Sequence, residues 1–429
     1  MASSDTLARA TRPAGSPHPT GPLARIRRAA VKVDAATPAH RDRGLDGLRA
    51  IATCSVPIGH WLLGGFTVTP DAAIHNASPL GTMGFFAPMT WLLQMLGVFF
   101  LVGGRASVLS YERATARGES YRGWLGSRMA RLLRPVVAVA AIWAVLLAAG
   151  WAAGVPADSL RTGAVLVVQP LWFVGIYAAL TALTPLAAAL ARRAGIGAAL
   201  GMMGAVAAVD AVRYGPWAEA APGWLAAINL LPGWMFAYQL GAAWALGGLD
   251  RRAARRLLLG GVALFATLLL VFDYPASMVG VPGAERGNAH PPSLLVLALA
   301  SVQCALAVLL RDRLDRALRR PMLWLPVAML NLGAMTVFCW HQSAMLAWGI
   351  PAGLLGGVLG DVPGLTGAPT DLAWVAARLC WLPVFAGTLL ALAAGVRRFE
   401  APWHGIGVAG RALAGLLAAA FATYALLVV

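Results

Sequence analysis

Apolar runs of about 20 residues, the length that crosses a bilayer as a helix, recur from Leu45 to Val429 with only short polar breaks between them. A window of roughly 19 residues predicts helices over 45–67, 85–109, 135–155, 167–190, 196–213, 224–248, 258–274, 293–310, 325–350, 373–396 and 412–428. The pattern predicts an all-α fold, a polytopic membrane helical bundle of about 10–12 transmembrane helices, with residues 45–429 as one domain. No internal repeat and no recurring pair of Gly/Pro-broken helices divides it into related halves. Residues 1–44 are rich in Ala, Pro, Ser and Arg and lack the apolar core of a signal peptide; they read as a disordered, basic, uncleaved cytosolic tail.

Composition agrees: 59% of residues are hydrophobic and 12% charged, where a soluble chain carries about a quarter charged. The net charge of +16 would suit nucleic acid, but the basic residues form no single face interleaved with aromatics, so no nucleic-acid partner is expected. They lie between the apolar runs and alternate in density. With the amino terminus inside, 28 of the 34 basic residues fall in cytosolic segments, which predicts a multi-pass protein with a cytosolic amino terminus. Arginine supplies all of these but Lys32, and Ala, Gly and Leu abound. That bias points to a GC-rich bacterial genome and so to the plasma membrane. Cys54, Cys304, Cys339 and Cys380 all lie in apolar runs without CxxC or Cys/His spacing. They read as small buried residues, with no metal site implied.

The stretch "LDGLRAIATCSVPIGHWLL", 45–63, carries two residues that hydrocarbon disfavours. Arg49 and His60 are 11 steps apart, three turns plus roughly 20°, so they share a helix face and are separated by about 16 Å along it. An arginine at the inner surface would thus sit below a histidine near mid-bilayer. For Arg49 a simpler explanation is anchoring at a helix end, paired with Asp46. Few structural explanations suit His60, since intramembrane ionisable residues usually face a cavity, a partner or a pathway.

The same stretch resembles the first helix of the membrane acyltransferase 3 family, which reads "LDGLRAIA" with ten residues between the arginine and a following histidine. "GVFFLVGG" (97–104), "RMARLLRP" (128–135), "PLWFVGIYAALTALTPL" (170–186) and "TVFCWHQSAM" (336–345) are similar to later family segments, so the likeness runs from Leu45 to about Val396. Where the family often has Ser-Gly-Phe, this chain has Val102, Gly103, Gly104 and then Arg105, and no hydrolase-like domain follows the helices as in some members. The resemblance implies transfer of an acyl group, commonly acetyl, from acyl-CoA to a hydroxyl of a sugar, envelope glycan or small natural product. Acyl-CoA, in the commonest case acetyl-CoA, would be a donor substrate, with no tightly bound cofactor.

On that reading His60 is the base that takes the hydroxyl proton, a task suited to an imidazole at neutral pH. Arg49 acts with it at the inner face, where Arg105, Arg128, Arg131 and Arg134 would meet the anionic donor. The spacing of three keeps the last three on one broad face if that loop is helical. Anchoring plus anionic lipid is the competing explanation for this group. His341, some 16 residues into the ninth predicted helix, is expected to position the acceptor or orient His60, or else to be a satisfied core histidine. Arg378 is a second candidate for acceptor contact, though snorkelling to the outer interface accounts for it equally. His290 and His75 read as solvated loop residues. Two other functions fit the same pattern: a secondary transporter or lipid/glycan translocator with His60 as proton site, and a non-catalytic membrane partner.

Overall fold

A computed structural model describes residues 21–216, 218–284, 286–400 and 407–428. The amino-terminal residues 1–20 of the expected disordered tail lie outside them. The rest of that tail is not irregular: Pro22–Ala35 forms a helix, α1. No apolar run marks it in the sequence, because Arg25, Arg27, Arg28, Lys32 and Asp34 are spread among its apolar residues. Leu23 and Val31 remain exposed, the arrangement of a helix lying in a membrane interface. A polar web ties it to the bundle: Arg43 donates to Asp34 at 2.6 Å, and Trp324 Nε1 to Thr37 at 2.7 Å.

The long helix α2 (Arg43–Leu63) follows, capped by the Asp42 side chain, which accepts from Leu45 N. It ends four residues earlier than expected, because the chain turns into an antiparallel hairpin of β1 (Gly65–Val68) and β2 (Ile74–Ala77). This hairpin was not foreseen. Phe66 of β1 packs where Gly349 has no side chain; a Cβ there would meet the ring at 2.3 Å. Next come α3 (Met89–Leu93), α4 (Leu96–Ala116), α5 (Tyr121–Ala152), α6 (Ala157–Val168), α7 (Trp172–Ala182), α8 (Thr184–Ala194) and α9 (Gly197–Tyr214). The remaining helices are α10 (Leu230–Ala245), α11 (Arg251–Leu270), α12 (Leu294–Ala317), α13 (Pro321–Leu332), α14 (Ala334–Leu354), α15 (Gly356–Leu359), α16 (Leu372–Glu400) and α17 (Val408–Val428).

Among the described residues seven spans, two of which join shorter helices, are long and apolar enough to cross a membrane, and two bent pairs raise the number to as many as nine. The protein is thus an all-α, multi-pass membrane bundle. Asp46, Arg49 and His60 interrupt α2 and leave it outside that set, as does the short length of α10. The expected helix over 167–190 is displaced. The apolar span runs over Ala157–Ala182 instead, and Thr184–Ala194 joins Gly197–Tyr214 at 106°. A second bent pair, α13 and α14, turns by 79° at Gly333.

Two apolar cores share α2. Its Arg49 half, through Leu48 and Ala52, belongs to a core built with α4, α7 to α10, α11 and α12. Its His60 half, through Trp61, belongs to a second core with the hairpin, α5, α6, α14, α16 and α17. Close helix approach is set by glycines in the first core. A Cβ at Gly241 of α10 would lie 2.0 Å from the Leu101 carbonyl, and one at Gly104 of α4 would lie 2.1 Å from that of Tyr238. This packing gives Gly104, in the Val102–Gly104 stretch within α4, a structural reason.

Candidate active site

His60 lies in the last turn of α2, and the seam between the two cores opens there into a cavity of about 310 Å³. Its walls come from α2 (Ser55, Gly59, His60), from Asn76 and Ser78 at the end of the hairpin, and from Gln94 between α3 and α4. The segment Gln169–Phe173, the loop containing His290, and Phe338 and Gln342 of α14 complete them. No Asp, Glu, Lys or Arg is among the described residues lining it. Most of its lining is apolar, from Leu, Val, Met, Pro and aromatic side chains, with a few amides, hydroxyls and two imidazoles set among them, the usual composition of a small-molecule site.

Beside His60 the structure assembles a rigid polar knot. Gln342 Nε2 and His60 Nδ1 are 2.7 Å apart. The ring of His341 meets that of His60 edge to face, with centroids 4.9 Å apart. His341 Nδ1 lies 2.6 Å from the Phe338 carbonyl, and a carbonyl only accepts, so His341 carries its proton on Nδ1 and Nε2 is left with a lone pair. That Nε2 is buried with no partner. The bend at Gly333 places His341 seven residues into α14 rather than deep in a long ninth helix. It is 1% exposed and does not line the cavity, so it stands behind His60 and not against an acceptor.

Arg378 of α16 is fully buried and likewise does not border the cavity. Its donors go to the carbonyl of Trp61 at 2.5 Å, to that of Gly364 at 2.8 Å, to that of Gly64, and to Met345 Sδ at 2.9 Å. Phe385 receives its π-face contact at 4.9 Å. The carbonyls of Trp61 and Gly64 are those left open where α2 stops, and a cation there also suits the helix dipole. The structure therefore gives Arg378 the work of holding the end of α2. Trp61 Nε1 donates to the His341 carbonyl at 2.9 Å, locking the register of α2 against α14.

At the other end of α2, Arg49 stands 3.8 Å from Asp46, whose carboxylate is gripped by Arg41 at 2.5 and 3.0 Å. That short bond holds the Arg41 guanidinium above its ordinary range. The Arg49–Asp46 pairing expected beside helix-end anchoring is present, with the carboxylate shared between Arg49 and Arg41. The segment carrying Arg128, Arg131 and Arg134 is helical, forming the first turns of α5. Arg128 bonds Ser110 Oγ and lies within electrostatic range of Arg131, Arg49 and Tyr177. Arg134 is half-buried further along α5. Arg105 stands apart from that group: it donates to the Trp244 carbonyl at 2.9 Å and covers the Trp244 ring at 4.4 Å.

No arginine borders the cavity among the described residues. Rings fill the intervening space. Phe338 and Phe173 line the cavity, their centroids 5.3 Å apart, and Phe173 stacks on Tyr177 at 6.0 Å. Two participants escaped sequence reading. Gln342 was passed over beside the more conspicuous His341, although an amide in an apolar run is itself a signal. His290, taken for a solvated loop residue, lines the cavity with its ring 4.5 Å from that of Trp172, and the loss of water lowers its imidazole below the ordinary value. Among the described residues no group of His, Cys, Asp and Glu could hold a metal ion. Cys304 and Cys339 are buried as expected, whereas Cys54 is half-buried and Cys380 exposed.

No curated protein and no solved structure matches the chain. A family model does: an acyltransferase domain over residues 42–396, covering both ends of α2, the cavity and Arg378. The chain belongs to the acyltransferase 3 family and is a membrane-embedded enzyme, an O-acyltransferase.

Proposed function

We propose that this acyltransferase moves an acyl group, acetyl in the first instance, from acyl-CoA to a hydroxyl of an uncharged acceptor held in the His60 cavity. The acceptor class is a sugar, an envelope glycan or a small natural product. The supporting observation is that His60, an ionisable residue in the last turn of α2, borders a mostly apolar cavity free of Asp, Glu, Lys and Arg among the described residues while its ring is held by a second side chain. Arg49, Arg128 and Arg131, at the opposite end of α2, suit the donor's phosphates. Arg134 belongs with them by position, and Arg105 joins only by its charge. The alternation of basic residues supports an orientation with that end at the cytosolic face of a bacterial plasma membrane and the amino terminus inside.

In the proposed step the acceptor oxygen attacks the thioester carbonyl as its proton passes to His60. An O–C bond forms, the C–S bond breaks, and the coenzyme A thiolate takes the proton from the imidazolium. A general base of this kind contributes typically ~10² to 10⁴ in rate. The acceptor enters from the cavity side, since a buried anionic group would find no countercharge there; the donor reaches in from the arginine side.

Membranes carrying His60→Ala or Arg49→Ala protein, inserted at normal levels and given radiolabelled acetyl-CoA, are expected to lose acyl transfer by at least about 100-fold. Unchanged turnover in His60→Ala removes the assignment. Substrate flux into vesicles without any thioester would favour the transporter reading instead.

A further inference from the structure

We propose that Gln342 is a positioning residue that selects the reactive tautomer of His60 by accepting a hydrogen bond from Nδ1–H, leaving the Nε2 lone pair for the acceptor hydroxyl. The inference rests on His60 being the base. An imidazole accepts a proton at only one nitrogen at a time, and which one is free is set by the bond the other makes. His60 Nδ1 has Gln342 at 2.7 Å.

His341, the neighbour that the sequence offers for this role, is tied up elsewhere: its Nδ1–H is directed to the Phe338 carbonyl at 2.6 Å. It therefore has no proton to give His60. Of the two ends of the Gln342 amide, Oε1 is buried without a partner while Nε2 faces His60. With Nε2 donating, the His60 proton would sit on Nε2 and the ring would present a donor, unfit to act as a base. A half-turn of the amide, whose two ends are alike in shape, brings Oε1 to Nδ1–H. This pairs Oε1 with the ring and frees the opposite imidazole nitrogen, while the amide NH2 takes the buried place that Oε1 held. Gln342 lines the same cavity as His60, so the turn occurs at the edge of open space, not inside packed helix. When His60 becomes imidazolium, the carbonyl oxygen of the amide still accepts from it.

The hypothesis separates acceptor from donor chemistry at one position. Gln342→Glu keeps an oxygen acceptor, Gln342→Met keeps the volume and loses it, and Gln342→Lys offers only donors. The assay is transfer from radiolabelled acetyl-CoA in membranes, normalised to protein that elutes as a single species after detergent extraction. Gln342→Met and Gln342→Lys are expected to lower kcat about 100-fold or more, with KM for acetyl-CoA within about twofold, because a wrong tautomer removes the base without touching donor binding. Gln342→Glu is expected to stay within about tenfold of the parent. Gln342→Met turning over at the parent rate would overturn the inference, and so would equal losses in the Glu and Met variants, which packing alone would produce. If Met does not fold, Lys against Glu decides in the same way. His60→Ala keeps the two readings apart: if it is inert while Gln342→Met is active, only the tautomer assignment fails.

Discussion

Three carbonyls converge on the guanidinium of Arg378, and two of them terminate the helix that carries His60. Arg378→Met would strand all three in a buried setting. The expected cost is about 3 kcal/mol or more, seen as a lower unfolding midpoint in detergent together with reduced transfer. Arg378→Lys should recover less than half of the loss, because an ammonium cannot reproduce the planar fork. An unshifted midpoint in Arg378→Met would show that the end of α2 is held by something else. Residues of this kind were legible in the sequence as anomalies and not as roles. His60 and Arg378 stand out because hydrocarbon rejects them, but the partners of Arg378 lie in α2 and in the Gly364 turn, where no spacing rule reaches. Gln342 was hidden by its neighbour, and His290 by a loop that reads as solvent-exposed until Trp172 is brought against it.

Helices were legible where a single apolar run coincided with a single span, as in α4, α11, α12, α16 and α17. The sequence misled where polarity and breaks fell inside a run. Asp158 and Arg161 disguised the start of α6, and Pro170 and Leu183 divide what read as one helix. The hairpin was unreadable because β1 follows a helix without pause and β2, Ile-His-Asn-Ala, shows no regular alternation of polar and apolar residues. Contact between α4 and α10 depends on the paired glycines, which explains how a stretch so unlike the usual family ending still works. Gly241→Ala should separate these helices, since its added carbon meets the Leu101 carbonyl at 2.0 Å and the Arg105 nitrogen at 2.9 Å. Overpacking of this kind costs typically 1–3 kcal/mol or more. Gly387→Ala in α16, with nothing within 4 Å of its added carbon, should leave the monodisperse yield unchanged. Equal yields for the two variants would contradict the close approach.

Over the whole molecule, exposed leucines such as Leu270, Leu390 and Leu426 face outward, as lipid-facing helices require. The basic segments decide which way the bundle stands. In a background lacking Cys54 and Cys380, Arg122→Cys is expected to react with a membrane-impermeant maleimide only from the cytosol, and Ala284→Cys only from the opposite side. Reversal of the pair would invert the proposed donor and acceptor faces. The aromatic seam of Phe338, Phe173 and Tyr177 then acquires a meaning beyond catalysis. A protein reached by one reactant from each side is at risk of becoming a leak. In the proposed two-sided scheme the packed rings would oppose such a leak, since a hydrated ion would have to shed its water to follow an acyl arm past them.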